Sequence, residues 1–181
     1  MKKLNVGLIG CSFMGRAHSN AWLKAAKFFD LKAQPVMKVV CGRNAAGATA
    51  LATRFGWDMV ETDWRRVVED PNIHIVDINT PNDSHAQIAI AAAKAGKHIF
   101  CEKPVDLSLE VIKGALDAVS KAGIKLMVGF NRRFDPNFSK IKQLVVDGKI
   151  GNPHILKITS RDPAPPPAEY SAVSGGMFMD M

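Results

Sequence analysis

The stretch Gly7-Leu8-Ile9-Gly10-Cys11-Ser12-Phe13-Met14-Gly15 joins a short apolar run to a helix-like one. Read as Gly10-x-Ser12-x-x-Gly15, it is a degenerate form of the fingerprint that turns a strand into a helix and receives a pyrophosphate. Gly10 permits the tight turn and Gly15 lets helix and strand pack closely. Ser12 is small enough for a phosphate to approach the backbone, and its hydroxyl can donate to a phosphate oxygen. Phe13 and Met14 fill the two positions that open the helix, where free amides and the positive dipole end favour an anion. A strand-to-helix turn with two glycines and no ligand is the bland alternative. The surrounding strand-helix-strand pattern favours a dinucleotide.

The end of the second strand-like run selects the nucleotide. An Asp or Glu there would hold the ribose 2′-hydroxyl of NAD. The sequence has Cys41-Gly42-Arg43-Asn44 instead. No carboxylate stands there to repel a 2′-phosphate, and Arg43 can pair with one. NADP is therefore expected ahead of NAD, with a surface arginine before a helix as the plain alternative.

Three more segments follow strand-like runs: Asn79-Thr80-Pro81-Asn82-Asp83-Ser84-His85, Cys101-Glu102-Lys103-Pro104, and Gly129-Phe130-Asn131-Arg132-Arg133-Phe134. Ligands of open α/β sheets sit outside the carboxyl ends of the strands, so all four motifs converge on one crevice. There the Lys103 ammonium can stabilise a developing alkoxide, or take part in proton transfer if its pKa is depressed. Glu102 is a neighbour that can orient it. A solvated strand-end lysine is the alternative. Asn82 or Asp83 can serve as an N-cap with His85 in the first helical turn, and Arg132 and Arg133 can be a solvated pair.

These residues need a scaffold, and the pattern supplies one. Strand-like runs at Leu4 to Ile9, Val36 to Cys41, Ile73 to Ile78, His98 to Cys101 and Lys125 to Phe130 alternate with helix-like ones. The helices span Met14 to Ala26, Asn44 to Phe55, Thr62 to Asp70, Asn82 to Gly96 and Ser108 to Ala122, and a last one opens at Asp135-Pro136. Asn44, Ser108 and Asp135 are N-cap residues, and Gly56, Gly123 and Gly148 are helix ends. This alternation predicts an α/β fold, a doubly wound parallel sheet of Rossmann type over residues 1–130. His154 to Ser160 alternates like a half-exposed strand before the loop Asp162 to Pro167. Residues 131–181 are too short for an independent sheet domain and are expected to be the incomplete start of a second one.

Composition sets the outer limits. The chain has 181 residues, 47% hydrophobic and 23% charged, as in an average globular protein. Its 24 Lys and Arg against 17 Asp and Glu leave a net charge of +7. The basic residues are dispersed in ones and twos, without the aromatic platform of a nucleic-acid binder. A positive field suits a phosphorylated small molecule instead. Cys11, Cys41 and Cys101 show no metal or CxxC spacing and read as buried thiols of a reducing cytosol. No apolar run is long enough to span a bilayer, so the expectation is a cytoplasmic protein with neither nucleic-acid nor membrane partners.

With these motifs the chain resembles the glucose-fructose oxidoreductase / inositol dehydrogenase (Gfo/Idh/MocA) family along essentially its whole length, the strand-end Glu102-Lys103-Pro104 being the most specific mark. Within the family it looks nearest to inositol 2-dehydrogenases. The resemblance implies hydride transfer between a nicotinamide and a hydroxyl-bearing carbon of a sugar, inositol or other polyol. It implies a catalytic Lys103 aimed by a cis Pro104, and Thr80, Pro81, Asn82 and His85 along the nicotinamide and its ribose, with Glu102 and Arg132 nearby. It implies that the second domain is an α+β open-sheet substrate domain and that a homo-oligomer is built through it. Ser174 to Met181 is similar to the family segment leading into Asp-x-x-x-His, with Asp180 as the Asp. The His, the family's acid-base, would fall beyond Met181, so Asp180 is expected to lack a partner and folded support, and this chain to be inactive alone. A nucleotide-binding sensor on the same fold and an NAD-retaining glycosidase are the rival readings.

Overall fold

Alternate residues of one buried strand feed two separate cores. In β1 (Lys2–Ile9), Val6 and Leu8 join Val40, Leu51, Ala52 and Trp57 on one side, while Ile9 joins Val39, Cys41, Val67 and Ile78 on the other. This period-two division needs helices on both faces. The first cluster is closed by α1 (Phe13–Phe28) and α2 (Ala45–Phe55). The second is closed by α3 (Trp64–Glu69), α4 (His85–Lys94) and α5 (Leu109–Ala122). The structure is a computed structural model describing residues 1–161, 164–176 and 180.

The remaining strands are β2 (Ala33–Cys41), β3 (Met59–Glu61), β4 (Ile75–Ile78), β5 (His98–Cys101) and β6 (Leu126–Val128). All five pairings are parallel, in the order β3-β2-β1-β4-β5-β6. This is the doubly wound Rossmann order, with its switch point between β1 and β4. Asp77 lies between Val76 and Ile78 of the second cluster, so its side chain faces α1.

Side-chain caps hold four of the helices. Asn44 accepts from Gly47, Asp63 from Arg65, Ser108 from Val111, and Asp135 from Asn137 and Phe138. Gly56 and Gly123 end α2 and α5 in the left-handed conformation.

Elsewhere the structure departs from the pattern. Neither Asn82 nor Asp83 caps α4, because both lie in a 3₁₀ turn (Asn82–Ser84) that precedes it. β3 is too short for periodicity to reveal. After α6 (Pro136–Val146), residues 153–160 form no strand: they pair with nothing among the described residues, and Ile155 and Leu156 are 89% and 81% exposed. A strand is a relation between two segments, and alternation in one of them does not create it. A short helix, α7 (Ala168–Ser174), follows the proline run.

Cys41 and Cys101 are buried free thiols. Burial, with nearby carboxylates adding to it, pushes both up to about 12. No helix among the described residues is long and apolar enough to cross a membrane.

The first turn depends on backbone contact. Gly10 has φ +113°, and a Cβ on Gly15 would stand 2.1 Å from the Gly10 carbonyl oxygen. On Gly114, inside α5, a Cβ meets nothing within 4 Å. Gly15→Ala should therefore lower stability by about 1–3 kcal/mol. Gly114→Ala should raise it by about 0.5–1 kcal/mol. Urea unfolding of the two variants checks both; equal midpoints would refute the close approach.

Candidate active site

Backbone hydrogen bonds bring three strand ends together. Gly10 N–H donates to Cys41 O (2.8 Å) and Asn79 N–H donates to Ile9 O (2.7 Å). The crevice above them is a cavity of about 560 Å³ whose walls include Gly10, Ser12, Gly42, Arg43, Thr80 and Pro81. Ser12 is the N-cap of α1, yet its side chain makes no capping bond. The first amides of α1 and this hydroxyl are thus unspent where an anion would enter. Asn79 also lines the cavity, and its buried Oδ1 has no hydrogen-bond partner. Such an acceptor calls for a ligand donor, such as a ribose hydroxyl or a carboxamide. These residues fit a dinucleotide. Gly15 is buried beneath the turn, Met14 is half-buried, and Phe13 projects outward at 70% exposure.

His85 has a different task from the one expected. It is 1% exposed, with Nδ1 2.7 Å from Pro104 O and Nε2 2.7 Å from Thr80 O. A backbone carbonyl oxygen faces each nitrogen, and the buried ring is not among the residues that line the crevice. His85 ties the loop after β4 to the tripeptide after β5. Asn82 is 7% exposed and its amide donates to Ser174 O. Arg132 lies over the Phe138 ring at 5.9 Å, in a second cavity that shares no residue with the first. The structure does not bring it to the dinucleotide crevice.

Lys103, half-buried after β5 and followed by a cis peptide bond to Pro104, extends to Asp180. Its Nζ is 3.0 Å from Asp180 Oδ1 and also donates to the Asp180 carbonyl. Asp180 is 8% exposed and its Oδ2 accepts from the Tyr170 hydroxyl. The expectation of an unsupported Asp180 is corrected: the cation at the end of β5 and the phenol of α7 both hold it. Met177 to Met179 and Met181, which complete the motif segment, lie outside the described residues. Burial raises the Asp180 carboxyl, but hydrogen bonds from Tyr170 and Lys103 and the lysine charge outweigh it and hold the group below the ordinary range. Tyr170 moves the other way, up to about 12, through burial and the facing carboxylate. Sequence reasoning missed Tyr170, which belongs to no spacing motif.

It also missed what lies under Glu102. His18, one turn into α1, places Nδ1 2.9 and 3.1 Å from the two oxygens of Asp77 and Nε2 3.0 Å from Glu102 Oε1. The Trp22 indole and the Asn79 amide also donate to Asp77. Burial opposes a charged ring, but hydrogen bonds to the two carboxylates and their charges prevail, and His18 is raised to about 9. The partners stand 59 and 84 residues away in sequence, so only the fold reveals them. Among the described residues no group of three or more His, Cys, Asp or Glu could hold a metal ion.

The depressed Asp180 carboxyl stabilises the fold above its unfolded pKa, and that contribution is lost as pH falls through the folded value. Tyr170→Phe removes one donor and should raise the Asp180 midpoint. Carboxyl-carbon NMR titration checks this, and an unmoved or lower midpoint would rule out the Tyr170 bond.

Residues 4–130 match the family model described as oxidoreductase family, NAD-binding Rossmann fold (GFO_IDH_MocA). The chain is 38% identical over 178 residues to the myo-inositol 2-dehydrogenase of Thermotoga maritima, covering 98% of this chain and 51% of that protein. It is 49% identical over 152 residues to the levoglucosan dehydrogenase of Pseudarthrobacter phenanthrenivorans, covering 83% of this chain and 39% of that protein. A levoglucosan dehydrogenase solved with NADH and L-sorbose matches 83% of this chain and 41% of its own with a TM-score of 0.79 at 49% identity. A putative myo-inositol dehydrogenase structure from Sinorhizobium meliloti matches 98% of this chain and 51% of its own, at TM-score 0.87 and 40% identity. The chain spans about half the length of the curated relatives it matches. It belongs to the Gfo/Idh/MocA family of oxidoreductases, through an NAD-binding Rossmann domain.

Proposed function

We propose that the protein transfers hydride between a nicotinamide dinucleotide and a secondary alcohol of a sugar, inositol or related polyol. The observation that carries this reading is that the Lys103–Asp180 pair beyond β5 and the unspent first turn of α1 beyond β1 lie at the same carboxyl-end edge of the parallel sheet. When bound, the nicotinamide ring accepts or donates the hydride.

The chain's own residues do the rest. Gly10, Ser12 and Gly15 shape the pyrophosphate seat. Thr80 and Pro81 form the wall on which the nicotinamide end rests, with the free Oδ1 of Asn79 as an acceptor beside it. Lys103 Nζ donates a hydrogen bond to the reacting oxygen and stabilises its alkoxide character. Asp180, held by Tyr170, orients that ammonium. The hydroxyl proton would pass to a general base, a role that the family resemblance gives to the His of an Asp-x-x-x-His motif and not to any residue of this chain. Residues 131–181 begin the substrate domain. Apolar side chains exposed on α6, among them Ile141 at 57% and Val146 at 70%, are its inner face or an oligomer contact.

At the adenosine end the proposal is NADP ahead of NAD. Arg43 is exposed on the cavity wall and has no ion-pair partner among the described residues. The similar levoglucosan dehydrogenase was solved with NADH, which makes NAD the competing outcome.

Titrating the chain with NADPH and NADH, followed by the fluorescence of the reduced nicotinamide, tests the cofactor. NADPH should bind more tightly, and Arg43→Ala should weaken NADPH alone by about tenfold, or 1.4 kcal/mol. Tighter binding of NADH would overturn the choice. Assay of the protein extended to its relatives' length against a polyol panel tests the reaction. Lys103→Ala should keep nucleotide affinity and lose about 10²–10⁴-fold in turnover. Retained turnover removes Lys103 from the chemistry, and nucleotide binding without turnover in the unaltered protein favours a sensor.

A further inference from the structure

Asp77 and Glu102 are two carboxylates placed on either side of one imidazole. Asp77 is wholly buried and the Glu102 side chain is 12% exposed. Neutral imidazole carries a single N–H, and ionised carboxylates only accept. Contacts of 2.9 Å at Nδ1 and 3.0 Å at Nε2 therefore ask for a proton on both nitrogens. The Phe100 ring stacks on the imidazole at 4.9 Å between centroids, fixing its plane. Asp77 is further braced by the Trp22 indole (2.6 Å) and the Asn79 amide (2.9 Å).

Glu102 connects this network to Lys103. Its Oε1 accepts a hydrogen bond from His18 Nε2–H and its Oε2 accepts one from the backbone N–H of Lys103 (3.2 Å). The residue after β6 makes room for it: a Cβ on Gly129 would stand 2.6 Å from Oε1. The far end of the tripeptide is held by His85 on Pro104 O. The ammonium of Lys103 meanwhile pairs with Asp180, and no Glu102–Lys103 ion pair forms among the described residues. A Glu102 carboxylate without its donor would be a rival for that ammonium from the adjacent residue.

We infer that His18 is a positioning residue of the reaction site: by bridging Asp77 and Glu102 it locks the backbone of the Glu102-Lys103-Pro104 tripeptide and leaves the Lys103 ammonium to Asp180 and the substrate oxygen. The role of Lys103 in this statement rests on the proposed dehydrogenase function; the bridge itself does not.

The bridge is sensitive to pH. His18 is raised to about 9, so the doubly donating ring persists through neutral pH and is lost as pH rises through that value. A ring with one N–H leaves one carboxylate without a donor. Glu102, the less buried of the two, is free to turn. Of the other groups facing the ring, Trp22, Asn79 and Phe100 do not titrate; Cys101, which packs on the opposite face of β5 and is pushed up to about 12, stays neutral in this range. Lys103 and Asp180 lie beyond Glu102 as the next charged pair.

The test is nitrogen-15 NMR of the full 181-residue chain between pH 6 and 10.5, with NADP affinity measured on the same samples. At pH 8 both His18 ring nitrogens should carry protons, one being lost with a midpoint near 9, and the Lys103 backbone amide should shift with that same midpoint. In His18→Gln that amide transition should disappear while NADP affinity stays within about threefold. Should His18→Gln fail to fold, Glu102→Gln replaces it: the His18 midpoint should fall, one carboxylate having been lost, and the Lys103 amide should cease to follow it. A singly protonated His18 at pH 8, or a Lys103 amide transition that survives in the folded variant, overturns the inference. Failure of the unaltered chain to bind nucleotide would defeat the functional proposal and leave the coupling of His18 to the Lys103 amide readable.

Discussion

The approach of α1 to the end of β1, backbone against backbone, is the constraint from which the rest of the site follows. No side chain separates Gly15 from the Gly10 carbonyl. With that spacing the amides at the start of α1 point into the crevice. One turn later the same helix delivers His18 to Asp77 and then Trp22 to the same carboxylate. A wider gap would move the anion seat and the imidazole together. The glycines thus set two things at once, a place for phosphate and the reach of α1 across β4 to the end of β5.

Charge is distributed with similar economy. Beneath the crevice two anions share one cation, and beside it one cation and one anion, Lys103 and Asp180, face each other with a phenol in support. Buried ion pairs carry a desolvation cost that only good geometry and further hydrogen bonds offset. Both clusters meet that condition: Asp77 has three different donors and Asp180 two. Their value lies in orientation, because each holds Lys103, the proposed catalytic residue, or its neighbour Glu102 in one direction.

Much of this was legible in the sequence wherever the signal was local. The Gly10-x-Ser12-x-x-Gly15 turn, the caps at Asn44, Ser108 and Asp135, and the left-handed ends at Gly56 and Gly123 depend on residues within a few positions of one another. The convergence of strand ends followed from parallel topology alone. What could not be read was set by distant partners. His18 is an unremarkable helix residue until Asp77 and Glu102 arrive beside it. Asn82 looked like a cap because caps are usually Asn, but burial turned its amide toward Ser174. The family resemblance put His85 along the nicotinamide and its ribose, yet the buried ring sits between two backbone carbonyls. Residues 153–160 carry a strand's alternation and lack a strand's neighbour.

The sulphur atoms in the sheet bear on how the protein fares in oxidising conditions. Thiolate, rather than thiol, is the species that peroxides and electrophiles attack. With Cys41 and Cys101 pushed up to about 12, the core presents almost none of it at neutral pH. Cys41 lines the crevice and Cys101 packs in the core, and neither offers a thiolate there, so oxidation should begin at other residues. In a fold proposed to move electron pairs, these two buried thiols are kept out of the redox chemistry, while the half-buried Cys11 on the crevice wall is the more accessible sulphur.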